Sequence, residues 1–142
     1  MIVAGAVKKY ADPRVDAAIT LSAAVNDTVF SPEEVANIRV PLMLMFGSTE
    51  VKQGRGDDRK YFYNHLSGPK YMVEIEDAVH TTFSGGIRKE HADLEGYLRD
   101  VNRAAIVRYA LAFMRYHLKG DEAAHQQLKI RGSGVTNYIY EQ

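Results

Sequence analysis

The apolar residues of this chain cluster in three short runs, at residues 15–21, 38–47 and 71–75. Each run has the length of a β-strand and ends at turn-forming or ionisable residues. Two longer segments carry the period of an amphipathic helix, at residues 57–66 and 94–118. Because strands and helices alternate along the chain, we expect an α/β fold, a three-layer parallel sheet with helices on both faces.

The remaining segments complete this order of elements. Residues 2–10 fit one or two turns of apolar helix, which stops before Pro13 because proline disfavours helix in the residue before it. Ser31 has the form of a helix cap, with a proline next and a glutamate three residues later. The helix at residues 94–118 has so little polar face that we expect it to be mostly buried. Three parallel strands alone would leave an apolar edge unpaired, so the single domain, residues 1–142, is expected to be part of a larger sheet.

Composition narrows the class of partner. The 142 residues suffice for one domain with a sizeable core, and 18 basic residues cancel 18 acidic ones. Because the charges are interspersed, no basic surface is expected to attract nucleic acid or an acidic membrane. No stretch approaches the ~20 apolar residues of a membrane span. The apolar start of the chain lacks the basic region of a signal peptide, so we expect a cytoplasmic protein.

The sequence offers no pattern for a metal or a cofactor. Cysteine is absent, and the histidines other than His80 show no zinc-binding spacing: His65, His91, His117 and His125. We expect these four to be solvated surface residues. The glycine-containing segment at residues 54–58 could suggest a phosphate-binding loop, but acidic residues follow at once and would repel phosphate. A loop without a ligand is the simpler interpretation.

Two ionisable residues follow directly after predicted strands, Glu50 after the second and His80 after the third. A strand, a helix and a second parallel strand form a right-handed crossover, which brings both strand ends to the same edge of the sheet. Open α/β sheets bind ligands at that edge. An acid that orients a histidine is two-thirds of a nucleophilic triad, so Glu50 and His80 are the candidate catalytic residues.

Several segments resemble the C-terminal half of an α/β hydrolase, in the group of dienelactone hydrolases, platelet-activating-factor acetylhydrolases, chlorophyllases and bacterial cutinases. Residues 12–19 (DPRVDAAI) resemble the junction between the nucleophile helix and the next strand. Residues 38–47 (IRVPLMLMFG) resemble the strand that leads to the catalytic acid. In the family the acid stands three or four residues after the glycine at the end of this strand, which is the position of Glu50. Residues 77–83 (DAVHTTF) resemble the segment that delivers the catalytic histidine. The resemblance extends to about residue 130.

The resemblance implies that His80 is a general base, that Glu50 orients it, and that the substrate is a small-molecule ester. It also implies a nucleophile elbow, Gly-x-Ser-x-Gly, just before residue 1, and the chain contains no such motif. Asp77 stands where the family usually has glycine and could serve as a second acid. Glutamate in place of the commoner aspartate is compatible with the acid's role.

No serine in the chain has the sequence context of a nucleophile. Ser22 follows a strand but has no flanking glycines, whereas Ser84 and Ser133 have glycine neighbours but no strand-turn-helix context. Three hypotheses therefore remain open. The chain is an incomplete hydrolase without autonomous ester hydrolysis, a non-catalytic protein that reuses the half-fold, or a small carboxylic-ester hydrolase with an unconventional nucleophile. In the first two cases an open sheet edge predicts a homo-oligomer, most simply a dimer.

Overall fold

The computed structural model describes residues 1–83 and 100–142, which contain one four-stranded sheet. Its strands, in spatial as well as chain order, are β1 (Ala18–Leu21), β2 (Leu42–Gly47), β3 (Lys70–Ile75) and β4 (Val135–Glu141). The pairs β1–β2 and β2–β3 are parallel, as predicted for an α/β fold. The crossover helices α1 and α3 cover one face of the sheet, and α4 and α5, which connect β3 to β4, cover the other, so helices lie on both faces.

The fourth strand corrects the sequence prediction, because β4 pairs with β3 in the antiparallel direction. The sheet is therefore mixed rather than parallel throughout. The sequence pattern of β4 does not indicate a strand, because Val135 is its only buried residue and its last three residues are exposed. β4 covers the outer edge of β3, whereas β1 pairs with β2 alone among the described residues.

The helices follow the sequence pattern, with some changes of boundary. They are α1 (Pro32–Ala36), α2 (Ser48–Glu50), α3 (Gly56–His65), α4 (Asp100–Lys119) and α5 (Glu122–Leu128). The predicted helix at residues 2–10 is instead two single turns, Ile2–Ala6 and Lys8–Tyr10, since Gly5 has a φ of 118° and interrupts the helix. Residues 94–99 of the predicted long helix lie outside the described residues. None of the described helices has both the length and the apolar character needed to cross a membrane.

Alternation along β2 divides the core into two layers. Leu42, Leu44 and Phe46 point to the face covered by α1, α3 and the N-terminal turns. Met43 and Met45 point to the other face, where they pack with α4 and α5. All five side chains are buried, as expected for the central parallel strand of a sheet covered on both sides.

Three of the four histidines predicted to be solvated, His65, His117 and His125, are partly buried, whereas His91 lies outside the described residues. His117 is half-buried, and its Nε2 lies 3.1 Å from the Tyr71 hydroxyl. His125 stacks on Tyr116 with the ring centroids 4.0 Å apart. The His65 ring packs against Tyr61 in a tilted arrangement, with the ring centroids 4.6 Å apart. Tyrosine rings one helical turn or one element away therefore cover them.

Candidate active site

Three side chains meet at the carboxyl ends of β1, β2 and β3. Ser22 follows β1 directly, Glu50 ends the short helix α2 after β2, and His80 begins the turn after β3. The Ser22 hydroxyl oxygen lies 2.7 Å from Glu50 Oε2 and 2.6 Å from His80 Nδ1. The structure thus brings the two predicted residues to one edge of the sheet, where the same hydroxyl group joins them.

Ser22 is the residue that sequence reasoning discarded as a functional candidate. It lacks the flanking glycines that a nucleophile elbow requires, but its φ of 52° shows that the chain makes a sharp turn there without them. Its position could have indicated its place in the site, since it follows β1 just as Glu50 and His80 follow β2 and β3. Ser84, another candidate, lies outside the described residues. The backbone carbonyl of Ser133 accepts a hydrogen bond from Arg108 at 3.2 Å.

The Glu50 carboxylate is almost completely buried, with 2% of the residue exposed. Oε1 accepts a hydrogen bond from the Gly47 backbone N–H at 3.0 Å, and Oε2 accepts one from Arg59 Nη2 at 3.1 Å. Arg55 Nη1 lies farther off, 3.9 Å from the same Oε2. With the Ser22 hydroxyl, the carboxylate has three hydrogen-bond donors, which is what a buried charge requires.

Arg59 supplies the opposite charge from inside the protein. It lies on α3 with 4% of its surface exposed, and its guanidinium stands 5.7 Å from the centroid of the Phe46 ring. The ring face and the carboxylate together stabilise a guanidinium that is almost completely buried. The sequence pattern predicts a loop at residues 54–58, where the structure instead has the end of a helical turn (Val51–Arg55) and the start of α3. It gives no signal that Arg59 belongs to the site.

Close contact between the two loops that carry the acid and the histidine fixes their spacing. A Cβ atom at Gly47 would stand 2.0 Å from the carbonyl oxygen of Ala78, so the loops approach as closely as they do only because residue 47 has no side chain. The Thr49 N–H donates to that carbonyl at 3.3 Å, and the Asp77 N–H donates to the Ser48 hydroxyl at 2.9 Å. These contacts tie the end of β2 to the segment that leads into His80.

Asp77, considered as a second acid, lies in this joined region with a φ of 51°. One of its carboxylate oxygens is 3.9 Å from Lys52 Nζ, and its side chain is 48% exposed. The carboxylate of Glu50, by contrast, is buried and contacts the hydroxyl that His80 contacts. Of the two acids, Glu50 is the one with the geometry of a site residue.

A cavity of about 300 Å³ opens beside the three side chains. Apart from Ala24, its lining residues are polar or charged: Ser22, Asn26, Arg55, Asp58, Arg59 and His80. A larger groove of about 610 Å³ lies at the amino ends of β1 and β2 and contains none of the three. The larger groove and the three site residues are thus at opposite ends of the sheet. The smaller cavity is the one that Ser22 and His80 line, within hydrogen-bond distance of each other. Over residues 1–83 and 100–142, no three histidine or carboxylate side chains are grouped so as to hold a metal ion.

A scan against protein-family models gives no match for this chain, and a search of the curated proteins gives none either. What can be said of its activity follows from the site itself.

Proposed function

We propose that the chain carries the acid and histidine of an α/β-hydrolase-like site and does not hydrolyse esters on its own. His80 is the general base, Glu50 is the acid that orients it, and a small-molecule ester is the substrate class. The observation that carries this proposal is that Glu50 and His80 leave adjacent parallel strands and contact one hydroxyl group. The chain has no Gly-x-Ser-x-Gly motif to supply a conventional nucleophile. Triad members act as a unit, so an acid and a base without the nucleophile retain little rate.

Hydrolysis of short p-nitrophenyl esters tests the first half of this proposal. We expect the wild type, His80→Ala and Glu50→Gln to give the same rate as buffer. A turnover that is lost with a single serine substitution would refute the incomplete-site proposal.

Chemical modification of histidine tests whether the site is poised for acid-base chemistry. We expect diethyl pyrocarbonate to modify His80 more slowly in Glu50→Gln than in the wild type, because the substitution removes the acid that orients the ring. His65, whose Nδ1 lies 2.8 Å from the Tyr61 carbonyl oxygen, is the internal control and should react at the same rate in both proteins. Equal rates at His80 would favour the non-catalytic alternative.

A small carboxylic-ester hydrolase is the second candidate, and one observation favours it. Ser22 is within 2.6 Å of a histidine nitrogen and has a positive φ, two features of an activated serine on a sharp turn. In that case a fluorophosphonate probe would label Ser22, and Ser22→Ala would abolish both the labelling and the turnover of esters.

We propose as well that two copies pair through β1. Its outer edge has no strand partner among the described residues, and Leu21 at its end is 46% exposed. Antiparallel pairing of two β1 strands about a two-fold axis would satisfy the backbone groups of both edges. Light scattering at micromolar concentration should give the mass of a dimer, and Leu21→Lys should shift it toward the monomer. A wild-type monomer under these conditions would refute the pairing.

A further inference from the structure

The Ser22 hydroxyl has one proton and two neighbours within hydrogen-bond distance, Glu50 and His80, so it can donate a hydrogen bond to only one of them. An ionised carboxylate only accepts hydrogen bonds, so the 2.7 Å contact with Glu50 Oε2 uses the proton of the hydroxyl. Both of its oxygens accept further hydrogen bonds, Oε1 from the Gly47 N–H and Oε2 from Arg59. The hydroxyl then has only lone pairs to offer to His80.

The contact of 2.6 Å between Ser22 and His80 must therefore be a hydrogen bond donated by Nδ1–H to the hydroxyl oxygen. A neutral imidazole with its proton on Nδ1 carries its lone pair on Nε2. His80 is an exposed residue that lines the cavity, so Nε2 is the ring nitrogen left for a substrate or a nucleophile. This is the tautomer that a hydrolase-type general base requires.

We propose that Ser22 is a positioning residue that transmits the orienting effect of Glu50 to His80, rather than the nucleophile of the site. Hydrogen bonds run in one direction, from His80 Nδ1–H to the Ser22 oxygen and from the Ser22 hydroxyl to Glu50. The acid thereby fixes the tautomer and the orientation of the ring at a distance, with the serine between them. A hydroxyl whose proton is committed to a carboxylate is not activated by the histidine. The proposal rests on the acid-base role of His80 described above, and it adds how that role is maintained.

Nitrogen NMR of protein with isotope-labelled histidine tests the proposal without reference to activity. At a pH where His80 is neutral, we expect the Nδ1–H tautomer to be the major form in the wild type, with His80→Ala used to assign the resonances. In Ser22→Ala the acceptor is lost and the Nε2–H tautomer should become the major form. Ser22→Asn tolerates the positive φ and supplies both an acceptor and a donor, so it should restore the Nδ1–H form.

The possible failures of this experiment are distinguishable. A major Nε2–H tautomer in the wild type, or no change in Ser22→Ala, would refute the positioning role while leaving the incomplete-site proposal intact. Labelling of Ser22 by a fluorophosphonate together with ester turnover would refute both. An inactive protein in which Ser22→Ala moves the tautomer as expected supports both. A circular dichroism spectrum of each variant confirms that the comparison is made between folded proteins.

Discussion

Arg59 and Glu50 form a buried ion pair, and breaking it is expected to lower the free energy of unfolding substantially. The two residues are 4% and 2% exposed, so each charge depends mainly on its partner, with Arg55 the next cation at 3.9 Å from the same Glu50 oxygen. Removing one member of such a pair typically costs about 3–5 kcal/mol, because an uncompensated buried charge remains. We expect Arg59→Met to lower the free energy of unfolding by about this amount. With a urea m-value of about 2 kcal/mol/M, the urea midpoint should fall by about 2 M.

A double-mutant cycle separates the pair from simple loss of packing. Glu50→Gln alone should also destabilise strongly, since it leaves Arg59 without its partner. The double variant Arg59→Met with Glu50→Gln removes both charges, and it should be clearly more stable than the sum of the single effects predicts, by at least ~1 kcal/mol. The matched control is Arg14→Met, because Arg14 forms a 2.6 Å pair with Asp12 on the surface with its side chain 88% exposed. That substitution should leave the urea midpoint unchanged.

Urea unfolding that shows no effect of Arg59→Met, or effects that simply add in the cycle, would refute this reasoning. The first result would mean that the guanidinium is not the main partner of the carboxylate. The second would mean that Glu50 is compensated by the Ser22 and Gly47 donors alone. The first result would also weaken the argument that the Ser22 proton is committed to Glu50.

Three further predictions concern single positions. Gly47→Ala forces a Cβ to within 2.0 Å of the Ala78 carbonyl oxygen and should lower the urea midpoint, at a cost of about 1–3 kcal/mol, with an unchanged midpoint as the refuting result. Asn102 is buried and, within the described residues, neither polar atom of its amide has a hydrogen-bond partner. Asn102→Leu should therefore increase the free energy of unfolding by about 1 kcal/mol, which a higher melting temperature would show. Burial lowers the pKa of His117, with a smaller contribution from His125, so the unfolded chain binds this proton more readily than the native protein. Stability should be full above about pH 6.5 and should fall as the pH drops below it, whereas His117→Gln should flatten that part of the profile.

Three of the four strands can be predicted from the sequence, because the residues that indicate each of them are neighbours along the chain. Each of the first three strands is a short apolar run with a turn or a proline at its end, and a buried parallel strand has just that pattern. The adjacency of Glu50 and His80 follows from the parallel direction of the two strands in a βαβ crossover, which needs no knowledge of side-chain contacts. The hydrogen-bond partners of these two residues cannot be predicted from the sequence in the same way. Ser22 and Arg59 are 28 and 9 residues from Glu50, and only the three-dimensional packing shows that they reach it.

The strand that the sequence pattern did not reveal gives a last prediction, because β3 carries the segment that leads to His80. β4 pairs with β3 over six positions of the register, Lys70 to Ile75. The Tyr138 hydroxyl on β4 also donates to the Leu128 carbonyl oxygen. Each backbone hydrogen bond contributes about 1 kcal/mol, so loss of the strand should cost on the order of 5 kcal/mol, which is comparable with the whole stability of a small domain.

A chain that ends at Gly132 should therefore show no cooperative urea unfolding, whereas a control chain that ends at Tyr140 should keep most of its stability. The control retains Val135 and Tyr138, which pack against the core, and lacks only the last two residues, which are exposed. Amide hydrogen exchange gives the same comparison for single residues. The N–H groups of Met72 and Glu74 are on the side of β3 that faces β4, so they should be protected in the control and exchange rapidly in the shorter chain. Cooperative unfolding of the shorter chain would show that β3 does not need the cover of β4. In that case the position of His80 would depend on the contacts between the β2 and β3 loops, at Gly47 and Ala78, and not on the completeness of the sheet.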